Sequence, residues 1–258
     1  MNDYQHLLVE EDGPLLFVSL NRPSVLNALN AEAHGEMAQV FDYFSAQASL
    51  RVAILTAVGE RAFCVGTDLK SRHQAGSDVY PASGFGGITH RHDLYKPVIA
   101  AVEGVCMGAG LAYALACDRR FGSKTVRMSA AMVRLGFGPD CGISWFLPRI
   151  TRLPTALRMI TTGDILGAEE CHHEGLIDEL VEEGEALDAA MAYAKRLAQG
   201  PSVAIDLARH FVYKSLTSTA DEMYDYEGVA AVMSAMTEDA REGTQAFLDK
   251  RKPKYKGR

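Results

Sequence analysis

Two periods of hydrophobic and polar residues run along this chain. "LLFVSL", Leu15 to Leu20, is a short apolar run ended by Arg22-Pro23, which predicts a strand. "NAEAHGEMAQVFDYFSAQ" switches to the helical period. Met37, Val40, Phe41 and Phe44 recur on one face, and Asn30 can cap the start. "VAILTAV", from Val52, predicts a second strand, and "AFCVG", from Ala62, follows a polar turn. The run Val98 to Cys117, "VIAAVEGVCMGAGLAYALAC", approaches the length of a membrane span, but Glu103 interrupts it and Gly104 follows. It predicts a buried strand, a turn and a buried helix. "PTALRMITTG" predicts a short helix ended by Gly163, and "GAEECHHEGLIDELV" a helix, a turn and a strand. Strands alternating with helices predict an α/β architecture. After about Pro201 only helical patterns remain. We therefore expect a core over residues 1–200 and a helical region over 201–258. Helices without a sheet of their own must bury their apolar faces elsewhere, which points to a subunit interface.

Composition narrows the function. The 258 residues are 48% hydrophobic and 23% charged, an ordinary globular balance. The net charge of −7 argues against nucleic acid as the main partner. Five cysteines at scattered spacing suit reduced thiols and a cytoplasmic protein rather than a disulfide framework. The N-terminus is acidic and lacks the features of a secretion signal. Residues 71–95 are polar and glycine-rich, with His73, His90 and His92, a pattern common in functional loops. The basic tail "KRKPKYKGR" is either solvated or a local anion site.

Three stretches carry candidate chemistry. "RAFCVGTDL" and "GVCMGAGL" each place a glycine turn against strand-like material. Glycine lets a backbone approach a ligand closely, and the first amides of a helix can stabilise negative charge. Close helix–strand packing explains either motif equally well. In "LGFGPDCG", Asp140 stands among Gly, Phe, Pro and Cys, as a turn-former or as a working acid/base. Phe137, Met132, Trp145 and Phe146 could line a dry pocket around it. Cys171-His172-His173 reads as a polar helix face, since neighbours on a helix diverge, and no metal site is expected. Cys141 reads as a small buried residue, and Asp118 as a structural anchor.

In order, these motifs resemble the crotonase superfamily, the enoyl-CoA hydratase/isomerase family. "VSLNRPSVLNALN" is similar to its entry strand and first CoA loop. "RAFCVGTDL" and "KPVIAAVEGVCMGAGLAYALACD" are similar to its two oxyanion loops. "RLGFGPDCGISWFLPR", "TGDILGAEECHHEGLIDELV" and "FLDKRKPKYKGR" match later segments. The resemblance implies a spiral of ββα units, a C-terminal helical oligomerisation region, and homotrimers or hexamers. It implies an acyl-CoA thioester substrate, with coenzyme A as part of that substrate and no tightly bound cofactor. Neither a nucleic acid nor a membrane partner is expected. By position, Thr67 and Ala109 would donate the two oxyanion N–H groups. Val25, Leu26 and Ala28, and the stretch Val65, Asp68, Leu69 and Lys70, would meet the CoA. Phe247 and Lys250 match contacts near its adenosine end.

The two glutamates of family hydratases are absent: their positions hold Ala112 and Met132. Asp140 stands where several branches of the family carry an acid that serves as base or nucleophile. The resemblance thus favours an enoyl-CoA isomerase with Asp140 as base. The alternatives are a hydratase using an atypical base, a hydrolase or dehalogenase with Asp140 as nucleophile, and an acyl-CoA-binding protein without catalysis. His90 and His92 lie in the loop that would cover the acyl group.

Overall fold

A computed structural model describes residues 4–71, 81–91 and 93–258. His73 and His92 lie outside the described residues. Two sheets organise the chain. The larger has the strand order β1 (Leu7–Asp12), β2 (Leu15–Leu20), β3 (Val52–Ala57), β5 (Val98–Val102), β7 (Arg119–Ser123), β10 (Glu179–Val181). The smaller runs β4 (Ala62–Cys64), β6 (Val105–Met107), β8 (Arg127–Ser129), β9 (Leu166–Gly167). From β3 to β8 the chain visits the two sheets in alternation, and like strands pair in parallel. That alternation, with the 3₁₀ turn Phe85–Gly87 before β5 and the helix Ala109–Leu115 before β7, is the ββα spiral.

The period of two explains the layering. Along β3, Ala53 and Leu55 enter the main core with Phe41, Phe44 and Leu111, while Val52 and Ile54 face the other way. There they meet Ala186, Ala190, Ala194 and Ala198, one small face of the helix Ala186–Ala198. Both faces of the parallel strands are covered, so their sequences read as continuous apolar runs.

The helix Ala31–Ala46 begins as expected, with the Asn30 side chain accepting from the Ala33 amide at 3.0 Å. The stretch after Glu103 contains a short strand, β6, where the pattern predicts only a turn and a helix. Three buried or half-buried residues are too few to show a period. The helices Ser202–Ser215, Ala220–Ala235 and Glu238–Leu248 have no strand between them. Asp118 ties the first of them to the core. Its carboxylate accepts from the Val98 amide at 2.8 Å, Arg209 Nε at 2.7 Å and the Tyr213 hydroxyl at 2.7 Å. Among the described residues, no helix is long and apolar enough to cross a membrane.

Candidate active site

The two glycine motifs follow β4 and β6, neighbouring parallel strands, so their turns leave the same sheet edge side by side. Gly66 has φ +96°, and a Cβ there would lie 3.1 Å from the Ala109 amide nitrogen and 3.2 Å from the Met107 carbonyl oxygen. Gly110 backs onto the same segment: a Cβ would come within 2.2 Å of the Cys64 carbonyl oxygen. The backbones of the two turns therefore touch, and only glycine permits it. Gly108, at φ +56°, precedes the helix Ala109–Leu115, and its amide donates to the Ser129 carbonyl at 2.8 Å. The first intrahelical bonds run from Leu111 and Ala112 back to the Gly108 carbonyl. The amides of Ala109 and Gly110 thus lie ahead of any intrahelical acceptor.

A second arm fixes the other turn. The Leu29 amide donates to the Gly66 carbonyl at 2.8 Å, and the Asp68 amide donates to the Leu29 carbonyl at 2.9 Å. These bonds form a parallel bridge between Leu29 and Thr67 made by the neighbours of Thr67. The Thr67 N–H therefore points to the edge away from Leu29. The arm itself is a strained turn: after the short 3₁₀ helix Pro23–Val25, both Leu26 and Asn27 adopt positive φ. Buried Asn27 holds it there, accepting from the Arg22 amide at 2.9 Å and donating to the Val58 and Ala62 carbonyls at 3.2 and 2.8 Å. Of the residues expected to meet CoA, Val25, Leu69 and Lys70 are exposed, Leu26, Val65 and Asp68 half-buried, and Ala28 buried. The Asp68 carboxylate is raised by burial, but Arg22 and the amides of Ser71 and Lys70 more than offset this and hold its pKa below the ordinary value.

The third wall is the segment from Ala131 to Gly142. Met132 lies over the Gly108 turn, its sulfur 4.0 Å from where a Gly108 Cβ would sit. Ala112 is fully buried in the helix behind it. The Phe137 amide donates to the Met132 carbonyl at 3.1 Å, folding the loop back. Asp140 follows three residues on, at most about 11 Å of extended chain away. It ends in two left-handed residues, Cys141 at φ +55° and Gly142 at φ +81°, before the helix Ile143–Ile150, which packs on the helix Ala109–Leu115. The Asp140 side chain makes no cap to that helix, and its Oδ1 is buried with no hydrogen-bond partner among the described residues. A carboxylate oxygen in that state costs free energy unless a ligand or proton completes it.

Some expectations fare differently. Phe137 and Trp145 are each 41% exposed, so they do not form a closed dry pocket in the single chain; Trp145 instead stacks under Arg149. The 133–139 segment lies over the surface, with Val133, Leu135 and Phe137 all outward, and Trp145 is on the exposed side of the helix Ile143–Ile150. Cys141 is half-buried, not buried. Cys171 is buried and His172 bonds the Ile177 carbonyl, and no group of three metal-ligating side chains occurs among the described residues. Phe247 is 84% exposed and Lys250 has φ +53°, both at the end of the helix Glu238–Leu248. The tail beyond them folds onto Arg51, at the start of β3. No described contact joins Phe247 or Lys250 to the 22–29 arm. Sequence reasoning missed Arg22 and Asn27 as the groups that set the arm, although "NRPSVLN" contained both.

A two-sheet ββα spiral with two touching backbone turns, and a buried carboxylate oxygen in the 131–142 segment that packs over one of them, defines a class: α/β enzymes of the crotonase fold. Comparison with known proteins agrees. Residues 10–258 match the family model described as enoyl-CoA hydratase/isomerase. The chain is 32% identical to 1,2-epoxyphenylacetyl-CoA isomerase of Escherichia coli (strain K12), over 98% of this chain and 99% of that one. It is 36% identical to carnitinyl-CoA dehydratase of Proteus mirabilis (strain HI4320), with the same coverage. The crystal structure of enoyl-CoA hydratase from Mycobacterium tuberculosis H37Rv superposes with a TM-score of 0.92 at 33% identity, covering 98% of this chain and 99% of that one. The chain belongs to the enoyl-CoA hydratase/isomerase family and is an acyl-CoA enzyme.

Proposed function

We propose that this protein is an enoyl-CoA isomerase in which Asp140 moves the proton and the amides of Thr67 and Ala109 hold the thioester oxygen. The observation that carries the reading is the buried Oδ1 of Asp140, without a hydrogen-bond partner among the described residues, in a chain that holds Ala112 and Met132 at the two positions of the hydratase carboxylates. Neither Ala nor Met can move a proton, so the two-glutamate activation of water has no groups to act through. A single carboxylate suffices for isomerisation. Asp140 takes a proton from the carbon between thioester and alkene, and the electron pair moves through the carbonyl to its oxygen. Two amides from separate turns stabilise that oxyanion by roughly 3–4 kcal/mol each. The same carboxyl returns the proton two carbons along, and the double bond becomes conjugated.

The CoA would lie along Val25, Leu26, Ala28 and the 65–70 stretch as part of the substrate, with no other cofactor. Phe247 and Lys250 would reach its adenosine end from a neighbouring subunit. That assignment suits a homotrimer or hexamer, and the exposed Tyr224, Val229, Val232, Met233 and Met236 of the C-terminal helices support it. In deuterated water, a 3-enoyl-CoA should isomerise with exchange at the carbon beside the thioester. Asp140→Asn should lower turnover about 10²–10⁴-fold while CoA-ester binding persists. Unchanged turnover in that variant would discard the mechanism. An aspartyl ester trapped on Asp140 would instead establish the nucleophilic reading.

A further inference from the structure

Arg22 and Asp68 form a contact whose placement goes beyond fold maintenance. Arg22 Nη2 meets Asp68 Oδ2 at 3.0 Å, with the two side chains 15% and 14% exposed. The same guanidinium donates through Nη1 to the Ala28 carbonyl. The other oxygen of Asp68 accepts from the amides of Lys70 and Ser71, at 3.2 and 3.5 Å. Asp68 is the residue after Thr67, and its amide makes one of the two bonds of the Leu29 bridge. One planar fork thus spans both ends of the 22–28 arm and the residue beside the Thr67 donor.

We propose that Arg22 and Asp68 are positioning residues that couple occupancy of the CoA arm to the aim of the Thr67 N–H. This rests on the oxyanion reading given above. Three contacts converge on the peptide before and after Thr67: the Gly66 carbonyl, the Asp68 amide and the Asp68 carboxylate. Beside them the Gly66 amide donates to Cys64 Sγ at 3.4 Å, the Val65 amide to the Leu26 carbonyl at 3.2 Å and the Ser71 hydroxyl to the Asp68 carbonyl at 2.9 Å, and the side-chain contact adds a constraint on rotation of the 66–68 segment about the bridge. The guanidinium fixes that rotation relative to residues 22–28, because its two donors lie in one plane and are aimed at two different segments. When a CoA ester presses on Leu26 and Ala28, the fork carries that constraint to Asp68. An amine at position 22 keeps the charge but cannot satisfy both acceptors with fixed geometry. A misplacement near 1 Å at a reacting centre is worth about a hundredfold in rate.

The test uses the full-length protein with Arg22→Lys and Asp68→Asn, and a chromophoric aryl-enoyl-CoA whose absorbance moves to the red when its carbonyl is polarised. Wild-type protein should show the red shift on binding. A wild type without it defeats the oxyanion reading itself, whatever the variants do. Given the shift in wild type, both variants should lose most of it and lose about ten- to a hundredfold in kcat. Their Kd for the probe and their unfolding midpoint should change far less. A pantetheine thioester, which lacks the nucleotide, should turn over more slowly than the CoA ester in wild type and at nearly the same rate as it in the variants. Retention of the full red shift in both variants, or losses confined to Kd or folding, would overturn the coupling. Arg22→Lys separates these outcomes if Asp68→Asn fails to fold.

Discussion

The two walls of the site are built differently. The wall formed by residues 22–29 and 62–68 is over-determined. Two consecutive left-handed residues, Leu26 and Asn27, persist there because buried Asn27, Arg22 and the Leu29 bridge hold them. The wall formed by residues 133–142 carries local backbone bonds, outward apolar side chains and one buried unsatisfied carboxylate oxygen. Backbone strain occurs in both, but among the described residues the first surrounds it with several buried long-range polar contacts, whereas the second has the exposed bond from Arg134 Nε to the Thr162 carbonyl at 3.5 Å. A rigid wall suits donors whose aim must not relax, since preorganised amides gain their advantage by not reorganising. A lightly held wall tolerates change in the acyl group and in the acid that works on it.

The comparison can be broken most severely at the seam. Gly110→Ala puts a Cβ about where the Cys64 carbonyl stands, 2.2 Å away in the present geometry. Loss of roughly 3 kcal/mol or more is expected, read as a lower urea midpoint at constant slope. A smaller effect is expected from acid. Burial depresses His34, in the helix behind the rigid wall, from 6.5 to about 4. Between those values the unfolded chain binds the proton and the folded one does not. Stability from this group is therefore complete above about pH 6.5, declines as pH falls, and levels off below about 4, a total of up to about 3 kcal/mol. His34→Gln should flatten that part of the stability–pH curve.

Asn27→Ala removes three hydrogen bonds and strands the Ala62 and Val58 carbonyls, at an expected cost of about 2–3 kcal/mol. The smallest effect belongs to the other wall. Phe137→Ala should alter stability by less than about 0.5 kcal/mol, because the ring is 41% exposed. It should nevertheless change relative kcat/KM across acyl-CoA esters of different bulk. Equal stability losses from Asn27→Ala and Phe137→Ala would erase the contrast between the walls.

Much of the scaffold was legible from the chain. Asn30 announced its helix, Gly163 ended another in the left-handed conformation, and the apolar strands β2, β3 and β5 matched their runs. Short elements were not legible. β6 and β8 have three residues each, and β1, at an edge, passes from three apolar residues to three acids without a period of two. The Phe137 and Trp145 pocket failed because Phe137 stands in a loop with no period to say which side it faces, and Trp145 lies on the exposed side of the short helix Ile143–Ile150.

The sequence by itself determined the repeating pattern of strands and helices, the two glycine turns, and the loss of carboxylates at 112 and 132. The first two follow from local sterics, which need no neighbours; the third follows from the resemblance to the family's hydratases. Only the tertiary structure decided that Gly66 touches Ala109, that Arg22 reaches Asp68, and that the Asp140 oxygen is left without a partner among the described residues. Each depends on segments more than forty positions apart, or on what fails to arrive, and the path of the spiral sets both.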